Sequence, residues 1–159
     1  MKYMTAAQAV QLIESGDSVY IQGSTSVPEV LSQALADRGD ELRDVTIYAA
    51  FAVGRCEAPY CRPEYKDSFN VKSLFVANNV RKWLAQGYGS TIPAFLGEIP
   101  GLFRDGTLPL DAVFLNVSPP DAEGYCSFGI SADLAVSAVE CARKVIVQVN
   151  KAMPFSYGD

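Results

Sequence analysis

The sequence predicts an α/β domain: a mostly parallel β-sheet with helices on both faces. Three observations point there. The segments Val19 to Gln22, Val45 to Phe51, Ala112 to Val117 and Val145 to Val149 are nearly continuous apolar runs, and a strand apolar on both sides is one covered on both faces. Segments with helical spacing alternate with these runs, and strand–helix–strand order implies parallel pairing through right-handed crossovers. The chain has 159 residues, enough for one domain around a single well-buried core.

Each element has its own signal. Thr5 to Ser15 is expected to be helical: Thr5 and Gln8 form a capping box, and Ala6, Val10 and Ile13 fall on one face. Gly16-Asp17 ends that helix, and the short strand Val19 to Gln22 follows. Pro28 suits the first turn of the next helix, which turns Val30, Leu31, Ala34 and Leu35 inward. After the strand Val45 to Phe51, residues 54–68 form an irregular loop carrying Cys56, Pro59, Cys61 and Pro63. Ser73 to Val76 is the next strand. Asn78 or Asn79 caps a helix running through Ala85, and Gly87 stops it. Ile92 to Leu96 is extended, and Ile99 to Arg104 is a short helix with Gly106 behind it. The strand Ala112 to Val117, a helix near Ala132 to Ala142 and the strand Val145 to Val149 complete the pattern. The aromatic residues Phe51, Phe75, Phe95, Phe114 and Trp83 are expected in the core. No internal repeat or low-complexity tract interrupts the chain.

Composition narrows the partners. Apolar residues make up 49% and charged residues 19%, the balance of a globular chain rather than a disordered one. The net charge of −5 argues against nucleic acid or an anionic membrane surface, both of which need a basic face. It does not exclude a phosphorylated ligand held by backbone amides and a few placed cations. No apolar run reaches the ~18 residues of a membrane span, and Met1-Lys2-Tyr3-Met4-Thr5 has no signal-peptide core. A cytoplasmic location is expected.

The chain contains no histidine, so the usual neutral-pH base and the commonest zinc ligand are missing. Cys56, Cys61, Cys126 and Cys141 have no zinc spacing. They are expected to be reduced structural thiols, with Cys56 and Cys61 close enough in sequence to pair only under oxidising conditions. Cys126 stands in a motif loop, but a cysteine nucleophile needs a base beside it, and the sequence offers none. Glu98 opens a short helix and Glu123 sits in a turn; neither has the context of a nucleophile. No metal or redox cofactor is expected.

Two loops carry the candidate site. Gly23-Ser24-Thr25-Ser26-Val27 lies between a strand and a helix beginning at Pro28, and amides at a helix N-terminus favour an anion. The plain alternative is a strand–helix turn. Ser118-Pro119-Pro120-Asp121 follows the most apolar strand, with prolines that stiffen it and Gly124 and Gly129 behind. It either lines a pocket or simply returns the chain. Ligands in such sheets bind beyond the carboxyl ends of the strands. Both loops should therefore open on one edge, with Asn79 and Arg81 approaching it. Arg81 can grip a carboxylate bidentately or stand solvated on its helix.

These segments resemble a known pattern. Val117 to Asp133 is similar to the S-P-P-D-x-x-G-x-x-S-x-G-x-S-x-D segment of the acetyl-CoA hydrolase/transferase family. Gly16-Asp17 with Val19, leading to Ser26-Val27-Pro28, resembles its first loop. Asn79-Val80-Arg81, Ile92 to Pro100, Leu108-Pro109-Leu110-Asp111, Val147 to Asn150, Met153-Pro154 and Tyr157-Gly158-Asp159 follow in the family's order and spacing. Gln22, Ser24 and Thr25 depart from it, since close members carry more glycine there.

The resemblance implies a CoA-transferase-like fold, related to glucosamine-6-phosphate isomerase and ribose-phosphate isomerase. It implies a CoA-transferase acting on acyl-CoA and short-chain carboxylates through a glutamyl-CoA intermediate. Gly23, Ser24, Thr25, Ser26, Val27 and Pro28 would stabilise the oxyanion, while Asn79, Arg81, Ser118, Pro119, Pro120 and Asp121 would line the substrate pocket. The resemblance covers only the family's N-terminal portion. Residues 1–159 are thus expected to be an N-terminal domain, from a truncated gene product or an excised domain, with the catalytic glutamate on a C-terminal domain outside this chain. An apolar patch left for that domain is expected to make the chain a homo-oligomer. Two other readings stay open: a sugar-phosphate isomerase-like domain, and a non-catalytic ligand-binding or interaction domain serving a separate chain.

Overall fold

The computed structural model describes residues 2–53 and 58–157. Among them six strands form one sheet: β1 (Ser18–Ile21), β2 (Val45–Ala49), β3 (Phe69–Ser73), β4 (Ser90–Thr91), β5 (Ala112–Val117) and β6 (Lys144–Val149). Their order is β4-β3-β2-β1-β5-β6, and every pair is parallel. The helices are α1 (Ala6–Ala9), α2 (Glu29–Ala36), α3 (Asn78–Leu84), α4 (Ile99–Arg104) and α5 (Ala135–Cys141).

The apolar runs are explained by two cores. Successive strand residues point to opposite faces. Val19, Ile21, Ile47, Val71, Phe114 and Ile146 pack with Leu31 and Leu35 of α2 and Val80 of α3 on one face. Tyr20, Tyr48, Val113, Leu115 and Val117 pack with Ile99 and Phe103 of α4 and Ala135 and Ala138 of α5 on the other. Each large aliphatic side chain buried this way contributes about 1.5–3 kcal/mol, so the central strands tolerate few polar residues.

Several boundaries differ from the sequence expectation, each for a local reason. The Thr5–Gln8 capping box is present, but the first helix stops at Ala9 and continues only as a 3-10 turn over Val10–Leu12. Arg38 Nη1 donates to the carbonyls of Val10 and, at 2.8 Å, of Ile13, and the chain is already extended at Ile13. Pro28 stands at the N-cap of α2 rather than within its first turn, and Val30 is exposed rather than inward. β3 lies four residues earlier than Ser73 to Val76. Asn70 and Lys72 alternate with buried Phe69, Val71 and Ser73, giving a strand with only one apolar face. Ala77, not Asn78 or Asn79, is the N-cap of α3. β4 is only Ser90–Thr91, and Ile92 N continues its pairing by donating to Ser73 O at 2.9 Å. The last helix begins at Ala135 because Asp133, at φ +27°, breaks any helix before it. Phe114 is buried, Phe51 and Trp83 are half-buried, and Phe75 and Phe95 are exposed against expectation. Cys56 lies outside the described residues.

The amino end of the sheet is tied by Asp111. Its Oδ2 accepts from Ser18 N and Ser18 Oγ, both at 2.8 Å. Arg143, one residue before β6, pairs with its Oδ1. One carboxylate thus joins the entry points of β1, β5 and β6. Burial raises the Asp111 carboxyl, but the Ser18 amide and hydroxyl and the Arg143 guanidinium outweigh it and hold it below the ordinary carboxylate range. Asp111→Ala should lower stability at neutral pH by about 2 kcal/mol, the range for hydrogen bonds to a charged group. A depressed folded value gives stability that is complete above the ordinary aspartate pKa of about 3.9. It is lost as pH falls through the lower folded value. Urea midpoints of the two proteins should therefore draw together below about pH 4; a gap independent of pH would contradict this role.

Candidate functional site

At β1 the order of the sheet reverses. β2, β3 and β4 are added on one side of it, β5 and β6 on the other. The chain leaving β1 enters α2 on one face; the chain leaving β5 enters α5 on the other. Two loops that part from neighbouring parallel strands toward opposite faces open a crevice at the carboxyl edge. Gly23–Val27 and Ser118–Asp121 are these loops, and they share one edge as the sequence implied.

The fork is built by β1 leaving its ladder early. Gln22 N still donates to Phe114 O at 3.0 Å. The chain then swings toward the loop after β2, where Ser24 N donates to Phe51 O at 2.6 Å and Val53 N to Ser24 O at 3.0 Å. β5 runs on, and its Asn116 amide would lose a partner. Gln22 supplies one from its side chain: Oε1 accepts from Asn116 N at 2.8 Å, and Nε2 donates to Ser131 O at 2.7 Å. Gln22 is only 1% exposed, and both ends of its carboxamide are used. It bridges β1 to β5 where the strands part and holds the loop after β5 against them.

The walls are strained. A Cβ on Gly23 would meet Phe51 O at 2.6 Å and Ala50 Cβ at 2.8 Å, so only glycine fits. Ser24 has φ +58° and Asp133, across the fork, φ +27°. Left-handed backbone costs an L-residue about 1–2 kcal/mol, and such strain collects at ligand sites. Tyr20 is wholly buried below the fork. Burial first, and then the Asp133 carboxylate, push its hydroxyl pKa upward, with the Gly23 amide opposing, so it stays a neutral phenol.

The donors differ from those the helix suggested. Glu29 N is bonded to Val27 O, Val30 N and Leu31 N to Gln148 Oε1, and Ser32 N to Pro28 O. The first turn of α2 therefore has no amide left for an anion. Among the described residues, the Thr25 and Val27 amides donate to no other group, and they are the loop's available donors. Thr25 is exposed, Val27 half-buried and Pro28 buried. Ser26 is buried with its Oγ unpartnered among the described residues, as is Asn116 Oδ1.

The second loop is mostly self-bonded. Ser118 Oγ accepts from Ser127 N at 2.8 Å and donates to Pro119 O at 3.0 Å. Asp121 Oδ1 accepts from Glu123 N and Tyr125 N at 2.9 and 2.8 Å. Pro119 is exposed and Pro120 half-buried. Asn79 and Arg81 lie on α3, which follows β3 at the same edge. β2 stands between β3 and β1, so α3 starts two strands along that edge from the fork. Asn79 is half-buried with its Oδ1 unpartnered among the described residues, and Arg81 is exposed.

The remaining candidates have structural duties. Glu98 Oε2 accepts from Phe95 N at 2.9 Å. Cys61 is buried, and its Sγ donates to Tyr88 O at 3.2 Å. Burial, and then the Asp121 carboxylate, raise the Cys126 thiol pKa, the opposite of an activated nucleophile. Among the described residues no cluster of histidine, cysteine or acidic side chains could hold a metal ion, and no helix is long and apolar enough to cross a membrane. A groove of about 790 Å³, lined in part by Tyr3, Met4, Leu12, Val30 and Gln148, runs along β6. It lies on the outer flank of the sheet and reaches the carboxyl end of β6 at Val149 and Asn150, beside the first turn of α2.

All of residues 1–159 match the acetyl-CoA hydrolase/transferase N-terminal domain. The chain belongs to the acetyl-CoA hydrolase/transferase family. A 4-hydroxybutyrate coenzyme A transferase of Clostridium kluyveri is 36% identical over 158 residues, which cover 99% of this chain and 36% of that protein. The crystal structure of RipA from Yersinia pestis superposes with a TM-score of 0.90 at 27% identity, over 98% of this chain and 38% of that one. A 4-hydroxybutyrate CoA-transferase from Porphyromonas gingivalis gives a TM-score of 0.78 at 32% identity, over 98% and 35%. The chain thus spans little more than a third of the length of the relatives it matches.

For this member of the acetyl-CoA hydrolase/transferase family, sequence reasoning marked both loops but missed what holds them. Gln22 stood out only as a departure from glycine. A glutamine ending an apolar strand, at the edge where ligands bind, was the available signal. Ser131 and Asp133 lay inside the quoted motif without a role. Gln148 likewise lay inside the quoted Val147 to Asn150 run without a role, because its partners are more than a hundred residues away.

Two predictions follow from these contacts. Gly23→Ala should destabilise the fold by about 1–3 kcal/mol through overpacking against Phe51, whereas Ser24→Gly should match or exceed the parent in thermal unfolding because it relieves the left-handed strain. Equal losses in both would refute this account of the loop. Burial pushes the Cys61 thiol up to about 11. At pH 8 both Cys61 and Cys126 should react with iodoacetamide more slowly than a free thiol of pKa about 8.5. Asp121→Asn should speed Cys126 alone; no selective change would remove Asp121 as a cause.

Proposed function

We propose that this domain forms the floor and one wall of the acyl-CoA cleft in a CoA-transferase that moves CoA between short-chain carboxylic acids. The observation that carries this is the β1–β5 fork, where a strained loop with two uncommitted amides, Thr25 and Val27, faces a stiff proline-bearing loop. In this reading a glutamate on a C-terminal domain attacks the acyl-CoA carbonyl. The tetrahedral carbon gains an oxyanion, and preorganised amides placed where that charge develops are the largest source of stabilisation in such reactions. Collapse expels CoA thiolate and leaves a mixed anhydride. The thiolate attacks the glutamyl carbonyl, releases the first carboxylate and forms glutamyl-CoA; the acceptor carboxylate then runs the sequence backward. The covalent intermediate divides one difficult transfer into easier steps. Both nucleophiles are carboxylate or thiolate, so the route needs no metal or redox group.

The named relatives support the substrate class, since a 4-hydroxybutyrate coenzyme A transferase and a butyryl-CoA:acetate CoA-transferase are among them. Exposed Phe75, Phe95, Leu96, Tyr125 and Ile130 all follow the carboxyl ends of strands. Exposed apolar side chains at that edge are what a domain bearing the glutamate would cover.

Acetyl-CoA added to the ¹⁵N-labelled chain should shift the amide signals of residues 22–27, 116–118 and Asp121. Shifts confined to other regions, or none, would refute the cleft. In thioester exchange between acetyl-CoA and labelled butyrate, this chain alone should not turn over, and a supplied C-terminal domain should restore exchange. Sustained turnover by the chain alone would place the nucleophile within it and overturn the assignment.

A further inference from the structure

Gln148 of β6 stands in register with Asn116 of β5. Paired residues project to one face of a sheet, here the face of Phe114, Ile146 and α2. Gln148 Oε1 reaches Val30 N at 3.0 Å and Leu31 N at 3.4 Å. α2 has no cap of its own: Pro28, at the N-cap, makes no side-chain hydrogen bond. Unpaired amides in a first turn need an acceptor, and a strand two places across the sheet from β1 provides it.

The Gly23–Pro28 loop is consequently pinned at three points. Gly23 is wedged against Ala50 and Phe51. Ser24 is bonded to Phe51 and Val53. The first turn of α2 is bonded to Gln148. The Thr25 and Val27 amides, without a partner among the described residues, lie between the second and third pins. The choice of side chain also matters. A carboxamide oxygen fills the place an anion would take at the helix N-terminus, yet brings no negative charge near an anionic substrate.

We propose that Gln148 is a positioning residue for the substrate loop: by capping α2 from β6, it fixes the Thr25 and Val27 amides at the fork without touching the ligand. This rests on the reading of the fork as an acyl-CoA site. The test compares Gln148→Leu, which has no acceptor, with Gln148→Glu, which keeps one. In the leucine variant, hydrogen exchange at Val30 and Leu31 should rise about tenfold, as expected for loss of a net hydrogen bond of about 1 kcal/mol or slightly more. The Thr25 and Val27 amide signals should move, and acetyl-CoA affinity should fall by about tenfold. The glutamate variant should restore the exchange protection and signal positions, while its affinity recovers only in part because the added charge opposes an anionic ligand. If the leucine variant does not fold, Gln148→Met carries the same comparison. Unchanged exchange at Val30 and Leu31 would overturn the proposal, and so would lost protection with unaltered affinity and unmoved loop signals. Should the parent chain bind no acetyl-CoA, the reading of the fork fails; the exchange and signal positions still decide whether Gln148 sets the loop.

Discussion

The architecture depends on one discontinuity, the point at which β1 leaves the ladder and β5 does not. An all-parallel sheet has few ways to open a cleft without exposing backbone groups. Here the unpaired Asn116 amide is satisfied by the Gln22 side chain at 2.8 Å. The sheet can therefore split while its hydrogen bonding stays complete at that position. An orphaned buried amide would cost about 1–3 kcal/mol, and the fork would tend to close or to admit water. Gln22 removes that penalty and uses its other end to restrain Ser131.

The two ends of the sheet are managed differently. At the amino end Asp111 gathers β1, β5 and β6 through charged hydrogen bonds, and nothing diverges. At the carboxyl end neutral carboxamides do the joining: Gln22 between β1, β5 and the second loop, and Gln148 between β6 and α2. Charge is used where the structure must only hold. At the carboxyl end the two joining side chains carry no charge, which suits the proposed approach of an anionic ligand.

The central strands could be read from the sequence because burial on both faces leaves an unbroken apolar signature; Ala112 to Val117 was placed to the residue. β3 was displaced because its position near the sheet's edge lets Asn70 and Lys72 face outward, erasing that signature. The loops were recognisable by proline and glycine and by their position after strands, which topology alone converts into a shared edge. Their supports were not. Hydrogen bonds from Gln22 to Ser131 and from Val30 to Gln148 join residues 109 and 118 positions apart, and no local pattern encodes such distances. Ser118 shows the converse: its place in a motif suggested a ligand contact, but its hydroxyl is engaged within its own turn.

The strand order also sets a sequence of events during synthesis. β1 is a central strand, yet its neighbours come from opposite ends of the chain: β2 soon after it, and β5 with Asp111, 93 residues beyond Ser18. Until β5 leaves the ribosome, the nascent sheet presents β1 as a bare edge bordered by Val19 and Ile21, both destined for the core. Pairing across such separations is slow because loop closure precedes the contacts that reward it. The fork that defines the cleft is thus among the last features to form, and an apolar edge waits for it in the meantime.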